Sequence, residues 1–153
     1  MPIELRIRLR NKKRVRRRAV MKLAETILDM VGESRSELGI ELVNDRRMRG
    51  LNRQYRAKDV STDVLAFSMR ESPGPVSSLL GDVVICIPVV VRQAQARGHS
   101  IDKEFTILLI HGILHLCGYD HERGQREARR MHRRERSLLD RVHSLPCLLS
   151  RRQ

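Results

Sequence analysis

The sequence predicts a single α+β domain in which helices pack against a roughly four-stranded mixed sheet. Short apolar runs with strand periodicity alternate along the chain with segments of helical periodicity. No internal repeat and no second domain is visible in the 153 residues, a usual length for one domain. We therefore expect residues 1–153 to form one domain around one core, with a strand order that the pattern does not fix.

The N-terminal part predicts a strand followed by a helix. Apolar residues at every second position from Ile3 to Leu9 predict a half-buried strand with one basic face. The basic run from Asn11 to Arg18 begins the helix. Its core stripe at helical spacing consists of Val15, Ala19, Leu23, Ile27 and Met30.

The middle of the chain predicts two strands with a helix between them. The strands are Leu38–Val43 and Val64–Met69, and Asn44 or Asp45 caps the helix. Residues 71–78 contain two prolines and a glycine and predict an exposed, mobile loop. One face of the helix carries Met48, Leu51 and Tyr55.

The last third predicts one more strand and three helices. The strand spans Asp82–Ile87, and Pro88 suits the first turn of a helix that ends near Arg97. Ser100 caps the next helix, which is apolar on nearly every side and should therefore be central and buried. A final helix runs from Glu122 to about Val142, followed by a tail.

Three histidines at the end of the apolar helix predict a metal site. His111 and His115 lie one turn apart on one helix face, so both imidazoles can bind one ion. Gly118 can end the helix in a left-handed conformation, and the chain can then bring His121 back toward them. Three histidine ligands leave the fourth position of a tetrahedral Zn²⁺ site open, as in catalytic sites. We expect one Zn²⁺ per chain.

The frame H-x-x-x-H-x-x-G-x-x-H is also the zinc frame of metzincin proteases, so the metal-bearing helix is expected to be zincin-like. Those proteases carry a glutamate general base after the first histidine. Here that position is Gly112, which cannot take up a proton. The sequence therefore keeps the metal frame and lacks the peptidase base.

Composition indicates a polyanionic partner. The formal net charge is +13 with a pI near 11, and such a chain attracts RNA by counterion release. No apolar run is long enough for a transmembrane helix, and the N-terminus lacks an apolar signal core. Three scattered cysteines give no disulfide framework, which favours a reducing cytoplasm.

Three blocks of sequence follow motifs of one known family. His111–His121 reads H-G-I-L-H-L-C-G-Y-D-H. Asn52–Ser68 is similar to N-R-x-[YF]-R-x-K-D-x-x-T-[DN]-V-L-S-F, with Ala66 in place of the serine. Leu80–Cys86, followed by Gln93, is similar to an L-G-D-[IVL]-V-I-[SC] strand. With these three blocks the chain resembles the YbeY family, bacterial endoribonucleases that act on ribosomal RNA, and the first block looks like the signature of that family.

The resemblance implies an α+β fold, a zinc site and cleavage of single-stranded RNA. It implies that His111, His115 and His121 hold the metal and that Arg56 matches a functionally important arginine of the family. It also implies a role in 3′-end maturation of 16S ribosomal RNA and in ribosome quality control. The implied partners are ribosomal RNA, the small ribosomal subunit, a small-subunit ribosomal protein and the Era GTPase.

Arg56 is the predicted catalytic partner of His111 and its metal. An arginine fork fits phosphate, and a guanidinium with a metal ion can stabilise charge on the nonbridging oxygens. The structural alternative for Arg56 is an ion pair with Asp59 or Asp63. The nucleophile stays open between water activated by zinc and the RNA 2′-hydroxyl.

Weaker candidates surround these residues. Arg53 and Lys58 are predicted phosphate binders, and Tyr119 either donates to phosphate or closes the turn. Asp120 either orients an imidazole, accepts a proton or serves as a turn residue. Cys117 is interpreted as packing, and the remaining histidines, His99, His132 and His143, as surface residues. The competing functions are a zinc-stabilised ribosome assembly protein without catalysis and, disfavoured by the missing glutamate, a metallopeptidase.

Overall fold

The computed structural model describes residues 3–10, 15–70 and 78–142, with the exception of the His121 side chain. These residues form four strands and five α-helices around one sheet, which confirms the predicted α+β class. The strands are β1 (Ile3–Arg8), β2 (Glu37–Val43), β3 (Val64–Ser68) and β4 (Leu79–Cys86). The helices are α1 (Arg17–Met30), α2 (Asp45–Arg56), α3 (Ile87–Arg97), α4 (Ile101–Leu116) and α5 (Gln125–Val142).

The sheet is mixed, with the strand order β1-β2-β4-β3. Strands β1, β2 and β4 are parallel, and β3 pairs antiparallel with β4 at one edge. The central strands β2 and β4 are buried over most of their length, which explains the apolar run at the end of β4, whereas the edge strand β1 alternates between buried and exposed residues. The antiparallel edge strand carries the block that resembles the family motif, so its position decides where that block lies.

The larger core lies between one face of the sheet and the helices α1, α4 and α5. Alternate residues of β1, β2 and β4 point into it, as the period of two requires. A smaller core on the opposite face lies under α2 and includes Met48, Leu65 and Val84. Beside it, the buried Glu41 binds the exposed guanidinium groups of Arg8 and Arg47.

Helix α4 is the central helix, as its all-round apolar pattern predicts. It contacts β3, β4, α1, α3 and α5. The Ser100 hydroxyl accepts a hydrogen bond from the Lys103 backbone N–H at 3.0 Å and so caps its first turn. Gly118, with φ +98°, follows the last turn and confirms the predicted left-handed position. The helix therefore holds His111 and His115 on a rigid, buried support.

Several predicted boundaries were wrong. Helix α1 begins at Arg17, after the buried Val15, and residues 11–14 lie outside the described part. Strand β4 begins at Leu79, three residues before the predicted start. Helix α5 begins at Gln125 because a 3-10 turn at His121–Arg123 and Gly124, with φ +129°, separate it from α4.

Two further expectations fall on residues that are not described. These are the mobility of the loop predicted at 71–78, of which residues 71–77 are not described, and the tail predicted from residue 145 onward. Among the described residues, no helix combines the length and apolarity that crossing a membrane requires.

Candidate active site

A cleft of about 620 Å³ opens between α4 and the edge strand β3. The C-terminal turn of α2 closes one side, and the residue after His121 reaches another. This volume lies within the usual range for sites that take a small ligand or part of a polymer. The lining residues are Tyr55, Arg56, Thr62, Asp63, Val64, Leu65, Ala66, Phe67, His111, Gly112, His115 and Glu122.

His111 and His115 lie side by side in this cleft. Their ring centroids are 6.2 Å apart in an edge-to-face arrangement. The Glu135 Oε2 atom of α5 lies 3.2 Å from His111 Nδ1. This contact raises the pKa of His111 above its ordinary value, against the opposing effect of burial, and the charge of Asp63 adds to the increase. Glu135 therefore fixes the orientation of the imidazole.

The arrangement fits a zinc ion on chemical grounds. A carboxylate on Nδ1 favours a proton there and leaves Nε2 of His111 for a metal, the pattern commonly found around metal-bound histidines. Two neighbouring imidazoles and the carboxylates of Asp63 and Glu122 in the same cleft attract a cation. Within the described side chains, which leave out His121, no three potential ligands converge. The predicted third ligand therefore stays a prediction.

Close packing explains why Gly112 stands at the position where metzincin proteases carry their glutamate base. A Cβ atom at this position would lie 2.6 Å from Val83 Cγ1 and 3.1 Å from Val83 Cγ2. Helix α4 therefore approaches β4 so closely that no side chain fits between them. A glutamate at this position would push the helix that carries both histidines away from the sheet. The glycine is thus part of the support of the site.

Arg56 lies where the motif predicts, in the last turn of α2 and in the lining of the cleft. Ala57 ends the helix with φ +56°, and its N–H donates to the Arg53 carbonyl at 3.1 Å. Arg49, with contacts of 2.9 and 3.0 Å, binds Asp59 instead. Within the described residues Arg56 forms no ion pair with Asp59 or Asp63, so the structural alternative for this arginine was wrong.

The weaker candidates lie outside the lining of the cleft. Arg53 lines a separate basic groove along α2, and Lys58 is exposed beyond the helix end. Tyr119 packs against the core, with the Arg130 guanidinium carbon 4.6 Å from its ring centroid. Asp120 accepts a hydrogen bond from the Glu122 backbone N–H at 2.9 Å and caps the 3-10 turn. Roles for these residues in substrate or metal binding stay predictions.

Sequence reasoning missed a polar network behind the cleft. Gln93 donates to the Asp63 carboxylate at 3.3 Å and to the Glu104 carboxylate at 2.9 Å. Glu104 is fully buried and also binds Arg97 at 2.8 Å and His99 at 2.6 Å. The network holds the cleft residue Asp63 to α3 and α4. The resemblance of Gln93 to a family position was the only available signal.

His99 was wrongly interpreted as a surface residue. Its side chain is only 19% exposed, because it reaches into the fold to bind Glu104. His132 is exposed on α5, as predicted, and His143 lies outside the described residues.

Cys117 behaves as the predicted packing residue. Burial raises the pKa of its thiol to about 11, so the reactive thiolate is scarce at neutral pH. The side chain packs against the larger core beside α4.

Comparison with known proteins settles the family. The model of the family described as Endoribonuclease YbeY matches residues 6–143. The chain belongs to the YbeY family. An Aquifex aeolicus protein named Endoribonuclease YbeY is 41% identical over 131 residues, which cover 86% of this chain and 87% of that one. A longer protein of the same name from Anaeromyxobacter is 46% identical over 82% of this chain and 62% of its own length.

A solved structure agrees with the fold. The solution structure of a protein from Thermotoga maritima matches with a TM-score of 0.63 and 28% identity, over 91% of this chain and 89% of that one. The YbeY match at residues 6–143 runs from within β1 to the end of α5, so it covers every residue that lines the cleft.

Proposed function

We propose that this YbeY-family protein is a zinc-dependent endoribonuclease that cleaves single-stranded RNA in the cleft between α4 and β3. The observation that carries the proposal is the common location of Arg56, His111 and His115 in the lining of that cleft. The family description supports cleavage of RNA. The motif resemblance supports the preference for single strands and the role in 3′-end maturation of 16S ribosomal RNA and in ribosome quality control.

His111, His115 and His121 are the proposed ligands of one Zn²⁺ ion per chain. A zinc ion in such a site supplies Lewis acidity toward phosphate chemistry. Glu135 orients the imidazole of His111, and the close packing of Gly112 on Val83 fixes the position of its helix. Because these contacts fix the imidazole and the helix that carries it, little reorganisation is needed for binding.

Arg56 is the proposed phosphate-binding residue. Its guanidinium belongs to the cleft lining, and the neighbouring carboxylate of Asp59 is bound by Arg49. A guanidinium without a protein carboxylate is available for two parallel hydrogen bonds to phosphate oxygens. Positive charge beside the scissile group stabilises the charge that develops there during cleavage.

The proposed setting is the small ribosomal subunit in the cytoplasm. The motif resemblance supports a small-subunit ribosomal protein and the Era GTPase as further partners. The net charge of +13 supports binding to a long polyanion such as ribosomal RNA.

The Arg56→Ala variant tests the chemistry of the cleft. We expect kcat/KM for single-stranded RNA to fall roughly 100- to 1,000-fold, as for the loss of a charge-stabilising group. Zinc content and the unfolding midpoint should stay at wild-type values because Arg56 is exposed and unpaired within the described chain. The measurement is steady-state cleavage of a labelled oligoribonucleotide by zinc-quantified protein.

The matched control is Arg18→Ala, which removes the same charge from the exposed first turn of α1. It should leave kcat close to the wild-type value. Equal losses of kcat/KM in Arg56→Ala and Arg18→Ala would show that only net charge matters and would contradict the proposed role of Arg56. A lower unfolding midpoint in Arg56→Ala would instead favour a structural role.

A further inference from the structure

Aromatic residues are scarce in this chain, and half of them lie in the cleft. The sequence contains two tyrosines, two phenylalanines and no tryptophan. Phe105 is fully buried in the larger core, and Tyr119 is covered by Arg130. The other two, Tyr55 and Phe67, both line the candidate active site. A fold built on an aliphatic core thus places its remaining rings beside the proposed catalytic groups.

Tyr55 is unusually exposed for an aromatic residue on a helix. Its side chain is 58% exposed, although its place in the apolar stripe of α2 indicates burial. The ring centroid lies 5.0 Å from that of Phe67 at an interplanar angle of 61°. This edge-to-face contact supports the ring from β3 while most of its surface stays open to the cleft. Two rings in contact with each other in the lining of a cleft offer a surface on which an aromatic ligand can stack.

The neighbours of Tyr55 match the chemistry of a nucleotide. Arg56, the next residue, lines the same cleft and binds no carboxylate of the described residues. His111 and His115 lie in the opposite wall on α4. The carboxylates of the cleft are Asp63, which binds Gln93, and Glu122. The site therefore offers an aromatic surface beside a cation, which is how proteins bind a base and its phosphate in single-stranded nucleic acid.

We propose that Tyr55, supported by Phe67, stacks on one unpaired base of the RNA and so positions the adjoining phosphate at Arg56. This inference rests on the proposed function of the cleft. A base within a duplex is already stacked on both faces, and its removal costs free energy. A tyrosine platform therefore selects single strands without reading a particular base. The platform requires the ring of Tyr55 and not its hydroxyl, so phenylalanine at this position should serve equally well.

The absence of tryptophan makes a direct test possible. Tyr55→Trp, built into the His115→Ala background to keep the RNA intact, creates a single tryptophan beside the cleft. We expect saturating single-stranded oligoribonucleotide to quench its fluorescence at least twofold. The same strand annealed to its complement, or an abasic strand of equal charge, should leave the fluorescence within about a tenth of its starting value. Binding is followed separately by the anisotropy of a label on the RNA.

The matched control is Met69→Trp in the same background. Met69 is 55% exposed, close to the value of Tyr55, and follows β3 outside the cleft lining. The fluorescence of the tryptophan at position 69 should not change with the single strand, the duplex or the abasic strand.

A kinetic test uses the background with His115 intact. Tyr55→Ala should raise KM for single-stranded RNA about 10- to 100-fold, whereas Tyr55→Phe should keep KM within about threefold of wild type.

The outcomes separate stacking from catalysis. Quenching of the tryptophan at position 55 by unpaired RNA alone supports the platform, even if the wild-type protein proves unable to cleave RNA. Binding that leaves this fluorescence unchanged, absence of binding, or equal quenching by the duplex or abasic strand would overturn the platform. Cleavage by the wild-type protein would then stand without it.

Discussion

At the residue scale, the site depends on contacts that hold two histidines and one arginine in a common cleft. Glu135 reaches His111 from a different helix, 24 positions along the chain, at 3.2 Å. Gly112 lets α4 rest directly on Val83. Arg56 stays available because Arg49 binds Asp59 with two hydrogen bonds. These contacts determine whether His111 can bind a metal ion and whether Arg56 can bind phosphate in the proposed function.

The Glu135→Gln variant tests the support of His111. Loss of the carboxylate should lower the pKa of His111 and weaken zinc binding roughly 10- to 100-fold, as for other partners of metal-bound histidines. The zinc dissociation constant is measured by competition with a chromogenic chelator. Glu127→Gln on the same helix is the control, because the ion pair of Glu127 within the described residues is with Arg130. An unchanged zinc affinity in Glu135→Gln would contradict the role of this contact.

At the element scale, ion pairs between distant segments fix the strand that forms one wall of the cleft. Arg70, two residues after the end of β3, donates to Glu33 at 2.9 Å and to Ser36 at 2.8 Å. These partners lie in the turn between α1 and β2. On the other side, Gln93 joins Asp63 to the buried Glu104. Strand β3 lies at an edge of the sheet, so it depends on these contacts at both of its ends.

The Glu33–Arg70 pair predicts a pH dependence of stability. Hydrogen bonding to Arg70, opposed by burial, lowers the pKa of Glu33 below its ordinary value near 4.5. The stabilisation is therefore complete above pH 4.5 and is lost as the pH falls through the lower pKa of the folded state. Glu33→Gln should lower the free energy of unfolding by about 1 kcal/mol at pH 7.

Urea unfolding at pH 7 and pH 3, with chelator present, measures this difference. The gap between wild type and Glu33→Gln should narrow toward zero at the acidic pH. Glu37→Gln, at an exposed position in β2, controls for the loss of one negative charge. A gap that stays constant with pH would show that the carboxylate charge contributes nothing to this contact.

Local patterns were sufficient for most elements and insufficient for their contacts. Periodicity and caps predicted the approximate position of each described strand and α-helix. These signals are local, because the residues that form them lie close together in the sequence, as with Ser100 at the start of α4. The strand order, the pairing of Asp59 with Arg49 and the approach of Glu135 depend on tertiary packing. For the cleft itself, the sequence predicted only the three histidines, from their spacing, and Arg56, from the family motif.

At the scale of the whole molecule, a strongly basic surface surrounds a small, precisely packed cleft. The full sequence carries a net charge of +13, and the exposed faces of α2 and α5 carry many of its arginines. Such a surface attracts RNA at long range without regard to sequence. In the proposed function, the cleft cleaves the part of the strand that enters it. Attraction and chemistry are thus separate properties of the same fold.

Salt dependence tests the electrostatic part. If about four phosphates are contacted, the affinity for single-stranded RNA should fall roughly 50-fold between about 50 and 200 mM monovalent salt. The measurement is fluorescence anisotropy of a labelled oligonucleotide with zinc removed. Arg56→Ala should reduce the slope of log K against log salt by about 0.7, the share of one phosphate on a single strand. An affinity independent of salt would contradict the account of the charge.

The most direct test of the central claim compares RNA cleavage with zinc content. Wild-type protein, His115→Ala and the exposed control His132→Ala are purified identically and loaded with graded amounts of zinc. Single-stranded RNA cleavage should rise with zinc occupancy in the wild type and in His132→Ala and should be absent in His115→Ala. Equal cleavage by all three proteins, or cleavage that does not follow zinc, would contradict a zinc-dependent endoribonuclease in this cleft.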